Sequence, residues 1–220
     1  MDRAVRPRGF VGIAALAALA CLAFALVPVA GSDAGKRPKC GGKTATKVGT
    51  KHSDTINGTS HDDVIVGLGG SDTIAGKGGD DIICGGDGAD ALYGAVQFDT
   101  SQTGDDKLIG GDAADGMFGS GGDDNMSGGD TADLMHGDDG DDTMKGGAAA
   151  DDMEGGDDTD TLHGGDNTDI VEGGPGDNDQ VFGDKQDDQV GGGDGVSDDC
   201  DGGPGDDVDN GGCETSTSIP

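Results

Sequence analysis

The amino-acid sequence predicts an all-β solenoid, and three observations support this prediction. Between Gly49 and Asn210 the chain divides into sixteen blocks of nine residues. The sixth residue of every block is Asp, and the eighth is apolar in fifteen blocks, although apolar residues make up only 31% of the chain. Glycine contributes 48 of the 220 residues. A fixed short period of this kind is typical of stacked repeats that contact only their neighbours.

The blocks define the domain organisation that we expect. The repeat region is interrupted in three places: an insertion at residues 94–100, the single Gly173, and a loop at residues 192–201. We assign the chain to four segments: a signal peptide at 1–33, a basic leader at 34–48, the repeat region at 49–210 and a polar C-terminal tail at 211–220.

Two blocks illustrate the repeat, Gly67–Ala75 (GLGGSDTIA) and Gly202–Asn210 (GGPGDDVDN). Their pattern, Gly-Gly-x-Gly-x-Asp-x-apolar-x, resembles the RTX, or haemolysin-type, calcium-binding repeat. The resemblance implies a parallel β-roll in which six residues of a block form a turn, three form a strand, and two blocks complete one coil. It also implies that carboxylates at position six, together with turn carbonyl oxygens, bind several calcium ions. These predicted ligands are Asp54, Asp63, Asp72, Asp81, Asp90, Asp106, Asp115, Asp124, Asp133, Asp142, Asp151, Asp160, Asp169, Asp179, Asp188 and Asp207.

Elementary stereochemistry agrees with this architecture. Glycine supplies the positive φ angles and close backbone approach that tight turns need. Side chains alternate along a strand, so position eight faces one side and positions seven and nine face the other. Five methionines occupy position eight, and we interpret them as core packing rather than as metal or redox chemistry.

The charge of the chain favours calcium and excludes nucleic acid. There are 45 acidic against 13 basic residues, and the net charge is −32. Nucleic-acid binding depends on Lys and Arg, whereas calcium takes six to eight oxygen ligands in flexible geometry. Stacked carboxylates repel each other without the ion, so we expect calcium binding to drive folding. On composition alone, the alternative is a chain that stays disordered.

The turns alternate in sequence between residues 101 and 172. Positions four to six are Gly-Asp-Asp at 104–106, 122–124 and 140–142. In the intervening blocks they are Ala-Ala-Asp or Thr-Ala-Asp, at 113–115, 131–133 and 149–151. The period is 18 residues, or one coil, so each kind of turn should stack on its own edge. Because Ala and Thr resist positive φ, we expect tighter calcium binding at the Gly-Asp-Asp edge; the alternative is neutral drift.

The N-terminus predicts export. Three arginines precede an apolar run from Phe10 to Leu26, and small residues follow it. This is the order of regions in a secretory signal peptide. The alternative is that the apolar run is retained as an N-terminal anchor.

Export would leave four cysteines in an oxidising compartment, which suggests two disulfides with three connectivities. We favour Cys200–Cys213, because these residues flank the last block. The partner pair is then Cys40–Cys84, which would tie the leader across an apolar outer face formed by Val64, Val66 and Ile82.

No catalytic motif is present: the sequence contains no His-Glu-x-x-His, no Gly-x-Ser-x-Gly and no phosphate loop, so we do not expect an enzyme. His52 and His61 are interpreted as turn residues, with a zinc site as the alternative. We predict a secreted, monomeric calcium-binding protein that acts as an extracellular or cell-surface structural or adhesive module. Its expected partners are calcium ions and a cell-envelope component or exported protein. The alternatives are a calcium buffer and an accessory subunit of an exported hydrolase.

Overall fold

The computed structural model describes residues 37–95 and 103–217. The predicted signal peptide and most of the insertion at 94–100 lie outside these residues. Within them, no helix is long and apolar enough to cross a membrane.

The described chain consists of short β-strands joined by turns. In chain order the strands are β1 (Lys39–Cys40), β2 (Lys43–Thr44), β3 (Lys47–Val48), β4 (Thr55–Asn57), β5 (Val64–Gly69), β6 (Thr73–Ala75), β7 (Ile82–Asp87), β8 (Ala91–Tyr93), β9 (Lys107–Gly111), β10 (Gly116–Gly121), β11 (Asn125–Gly129), β12 (Leu134–Asp139), β13 (Thr143–Ala148), β14 (Asp152–Asp157), β15 (Thr161–Asp166), β16 (Ile170–Gly174), β17 (Gln180–Asp184), β18 (Gln189–Gly193), β19 (Asp198–Asp201), β20 (Val208–Gly211) and β21 (Cys213–Thr217).

These strands form two parallel sheets that face each other. The odd-numbered strands from β3 to β21 make a ten-stranded sheet, and the even-numbered strands from β4 to β20 make a nine-stranded sheet. Each strand pairs with the next strand of its own sheet, one coil further on, so that Met126 of β11 lies opposite Met144 of β13. The predicted parallel β-roll with two blocks per coil is confirmed. Strands β1 and β2 form a separate antiparallel pair in the leader.

Many strands are longer than the three residues that the repeat implies. Strands β12 and β15 have six residues each and run through the first three positions of the following block. Position two of that block adopts the left-handed conformation, with φ of 121° at Gly147 and 77° at Asp138. Glycine is favoured at this position because other residues are strained there.

The core is one column of side chains between the two sheets. Every apolar residue at position eight from Ile65 to Val190 is at most 2% exposed, and the five methionines are among them. Their assignment to the core is confirmed. Asp209, the one charged residue in this column, is exposed in the last coil.

Residues 192–201, treated above as a loop, form a further half-coil of the roll. Strand β19 lies within them, and Cys200 lies opposite Val181 in the core column with 0% exposure. Asp198 therefore stands at position six. The extra residue lies in the turn between Gly192 and Asp198, and it interrupts the nine-residue period without breaking the stack. Gly173 likewise belongs to a ten-residue repeat, because it contacts Asp179.

Both favoured disulfides are present, Cys40–Cys84 and Cys200–Cys213. Cys40 and Ala45 of the leader pack on Val64, Val66 and Ile82, and all five are buried. The leader therefore covers the apolar outer face of the ten-stranded sheet, as expected. By chain entropy the two bonds contribute about 4 and about 3 kcal/mol respectively.

A substitution in the methionine column tests the core. Met144→Ala removes a side chain with 0% exposure and should lower the free energy of unfolding in calcium by about 2–5 kcal/mol. Urea unfolding followed by circular dichroism measures this loss. The control, Lys145→Ala, changes the adjacent exposed residue and should alter stability by less than about 0.5 kcal/mol. Equal losses from the two variants would show that Met144 is not packed as described.

Candidate calcium-binding turns

The predicted position-six aspartates lie at the two edges of the roll, where the turns stack. All sixteen except Asp54 are buried, and Asp198, which the sequence analysis did not include, is buried with them. Asp198 was missed because its block has ten residues. The structure thus aligns the predicted residues in two columns, one along each edge.

From Asp72 onward, one oxygen of each position-six carboxylate takes part in a continuous hydrogen-bond ladder. The backbone N–H of Asp106 donates to Oδ1 of Asp124 at 2.7 Å, and the N–H of Asp124 donates to Oδ1 of Asp142 at 2.7 Å. The same contact recurs along both edges. At the C-terminal end Glu214 substitutes for Asp, and its Oε2 accepts the N–H of Asp198 at 2.8 Å. The ladder fixes the position of the carboxylates from Asp72 to Asp207.

In most of these aspartates the other carboxylate oxygen has no protein partner. Among the described residues, Oδ2 is buried without a hydrogen bond in Asp72, Asp81, Asp90, Asp115, Asp124, Asp133, Asp142, Asp151, Asp160, Asp169, Asp179, Asp188, Asp198 and Asp207. Each Oδ2 lies against the first glycine of its own repeat, as Asp124 does at Gly119, where a Cβ atom would collide with it. A buried carboxylate oxygen without a partner is costly, so this position requires a cation or a proton.

Side chains alone do not complete a metal site. In residues 37–95 and 103–217, no three His, Cys, Asp or Glu side chains converge on one point. Each ion can therefore take at most two of these side chains and must complete its shell with main-chain carbonyl oxygens of the turns. Calcium accepts this mixture, because its coordination is oxygen-rich and flexible.

Burial raises the pKa of these carboxyl groups. It raises the pKa of Asp124 and Asp160 to about 8, and the charges of neighbouring aspartates add to the rise, although the N–H donor in each ladder contact lowers it. The pKa reaches about 7 at Asp106, Asp115, Asp142, Asp151, Asp169 and Asp188. It reaches about 6 at Asp81, Asp90, Asp133 and Asp179.

The two edges differ, and each kind of turn stacks on its own edge as predicted. On the Gly-Asp-Asp edge a second, exposed ladder joins the position-five residues: the N–H of Asp123 donates to Asp105 and that of Asp141 to Asp123, both at 3.1 Å. The opposite edge has alanine at the matching positions. The Gly-Asp-Asp edge therefore carries additional carboxylates beside the buried column.

Backbone conformation at position four follows the expectation in part. Gly122 and Gly140 have φ of 116° and 133°, whereas Ala113 and Thr131 stay out of the left-handed region. Ala149 adopts it nevertheless, with φ of 76°. Gly104, on the Gly-Asp-Asp edge, also stays out of the left-handed region, so neither edge is uniform in shape.

The histidines do not form a shared site. His52 precedes β4 and His61 precedes β5, which belong to different sheets, so their turns lie at opposite edges. The structure therefore does not bring together the zinc pair considered above. His136 and His163 instead pair with carboxylates, Glu154 at 3.2 Å and Asp184 at 3.1 Å.

Comparison with protein families agrees with this geometry. A family model described as the RTX calcium-binding nonapeptide repeat matches residues 48–83, 66–100, 102–126, 127–162 and 146–178. These matches cover more than half of the 220 residues. The chain belongs to this family and is a calcium-binding β-roll, with calcium ions as its cofactor. A search of curated proteins found no match.

The raised pKa values predict that acid stabilises the calcium-free roll. An ordinary Asp has a pKa of 3.8, so the folded roll holds more protons than the unfolded chain between about pH 4 and 8. Stability in chelator should therefore be highest at about pH 4 and below, and should fall as the pH rises through 6 to 8. Circular dichroism in chelator at pH 5 and pH 8 measures this. Equal β content at both values would contradict it.

The difference between the edges predicts unequal responses to mutation. Replacing Asp106, Asp124 and Asp142 by Ala should raise the calcium concentration for half-folding several-fold more than the matched replacement of Asp115, Asp133 and Asp151. The reason is that the first turns supply extra carboxylate charge and glycine at position four. Calcium titration followed by circular dichroism compares the two triple variants. Equal shifts would mean that the alternation has no functional content.

Proposed function

We propose that this is an exported, monomeric protein that is disordered without calcium, folds as calcium fills its turns, and serves as an extracellular or cell-surface structural or adhesive module. The observation that carries the proposal is the column of buried carboxylate oxygens without a hydrogen-bond donor. These buried oxygens recur along the roll and require a positive charge beside them. The free energy of ion binding is therefore part of the free energy of folding.

The proposed ligands are the position-six carboxylates from Asp72 onward, each with carbonyl oxygens of the stacked turns. Calcium affinity should be weak at each site, on the order of 10⁻⁴ to 10⁻³ M, as in extracellular modules. Such sites are filled at millimolar calcium, so the roll would form outside the cell. Two disulfides and the predicted signal peptide support the same location.

The outer face of the nine-stranded sheet supports the adhesive part of the proposal. Tyr93, Phe118 and His136 stack in successive coils, with ring centroids 5.2 and 5.3 Å apart. Leu134 and Ile170, on the same face, remain 39% and 38% exposed. A surface with exposed apolar and half-buried aromatic groups is suited to contact with another macromolecule.

A direct test is a calcium titration of the exported chain. At pH 8, circular dichroism should show little β structure in chelator and a cooperative gain in millimolar calcium. Magnesium should substitute poorly, because it requires a tight octahedral shell. The same β content in chelator and in calcium would disprove calcium-driven folding.

Sedimentation with isolated cell envelopes tests the adhesive role, and binding is expected only with calcium. The double variant Leu134→Ser/Ile170→Ser should lose it. Its control, Thr143→Ser/Thr161→Ser, changes the same block position on the other sheet and should bind as the unmodified chain does. Calcium-dependent folding without envelope binding would favour a buffer, and co-purification with one stoichiometric hydrolase would favour an accessory subunit.

A further inference from the structure

The first two turns of the roll differ from the later turns in which Oδ2 has no partner, because protein groups already satisfy their carboxylates. Oδ2 of Asp63 accepts hydrogen bonds from Lys47 Nζ at 2.9 Å, from the Thr59 N–H at 2.8 Å and from the Thr59 hydroxyl at 3.0 Å. Its Oδ1 accepts the Thr46 hydroxyl at 3.0 Å. The ion pair with Lys47 also neutralises the charge of this carboxylate.

Asp54 is held in a similar way on the opposite edge. Its Oδ2 accepts the N–H of Thr50 at 2.6 Å and the hydroxyl of Thr50 at 2.9 Å. Thr50 and Thr59 share position two of their blocks. In the later turns this position is left-handed, and at Lys77 the N–H donates to the carbonyl of Gly94 instead of to a carboxylate.

The leader also supplies protein groups to the coil that begins the ten-stranded sheet. Lys47 lies opposite Ile65, in register with the core column, where later coils have an apolar residue, and its Nζ contacts the carboxylate of Asp63. Arg37 donates to the carbonyls of Ala45 and Thr46 at 3.3 and 3.1 Å. The Cys40–Cys84 disulfide then joins the leader to β7.

A second apolar layer is also found at this end. Cys40, Ala45, Val64, Val66 and Ile82 form a buried cluster outside the ten-stranded sheet, separate from the core column. These coils therefore have apolar burial on both faces of one sheet and a covalent staple. The Cys40–Cys84 bond ties residues 37–66 to β7 and restricts the unfolded chain at this end of the roll.

We propose that residues 37–66, which we call the N-terminal cap, fold without calcium, bind no calcium through Asp54 or Asp63, and template the calcium-dependent coils that follow. The inference rests on the proposed function, since it divides the roll into one part that needs the ion and one part that does not. In a solenoid each repeat is stabilised by its neighbour, so a preformed end removes the cost of starting the stack. Calcium then loads outward, beginning at the turns of Asp72 and Asp81, which precede β6 and β7.

Hydrogen exchange of the unmodified exported chain in chelator at pH 8 tests the cap. The amides of Thr46, Gly49, Thr50, Thr59 and Val64 donate within the cap and should exchange on the order of 100-fold more slowly than in an unfolded chain. The amides of Thr143 and Thr161 donate between later coils and should be protected only after calcium is added.

Calcium counting by equilibrium dialysis gives a second readout. The variant Asp54→Asn/Asp63→Asn should bind as many ions as the unmodified chain. The control, Asp133→Asn/Asp142→Asn, changes two consecutive mid-roll blocks and should bind fewer ions while its cap amides stay protected in chelator. Loss of ions from Asp54→Asn/Asp63→Asn would overturn the proposal.

The exchange experiment separates failure of the cap from failure of the proposed function. If no amide is protected in chelator and all become protected with calcium, the cap is refuted and calcium-driven folding stands. If amides along the whole roll are protected in chelator, the proposed function is refuted and the inference is refuted with it.

Discussion

Each coil of the roll buries carboxylates directly above those of the coil before it, and the rest of the structure is organised around this arrangement. The backbone N–H of one Asp holds Oδ1 of the next at 2.7–3.0 Å, so the spacing of the charges equals the spacing of the strands. Repulsion between them cannot relax while the sheets are intact. The roll therefore needs a counter-charge in nearly every turn, and calcium is the ion whose coordination chemistry matches the oxygens that the turns supply.

The thin core also makes the roll depend on calcium. One apolar side chain per strand separates the two sheets, and the column is continuous from Ile65 to Cys200. Such a core excludes water but buries little area per residue for a chain of 220 residues with net charge −32. So small a core is sufficient only because bound ions add to the stability of the folded roll. The methionines at the centre fit this role, since their flexible side chains fill a narrow space without strain.

Most of the fold could be predicted because every informative position is repeated. The Asp and apolar columns remain visible despite variation at other positions, and the outer apolar face between Val64 and Cys84 indicates where the leader packs. The half-coil at 192–201 was harder to recognise, because one extra residue shifts the period and Cys200 supplies the core side chain. The special status of Asp54 and Asp63 was missed as well. Its signal was present, since Thr50 and Thr59 are the only threonines at position two of the sixteen blocks, but its meaning depends on hydrogen-bond geometry that a sequence does not show.

The ten-residue repeats show how the roll accommodates changes in chain length. After Gly173 the pairing offset rises to 19 residues, so that Ile170 lies opposite Gln189, yet Val171 still faces Val190 in the core. Between β7 and β9 the offset is 25 residues, and Ile83 still lies opposite Leu108. The added residues lie in the turns. A one-residue shift within a strand would instead turn every following core side chain outward. Length variation is thereby confined to the two edges of the roll, and these edges are the places where a foreign peptide can be grafted without disturbing the sheets.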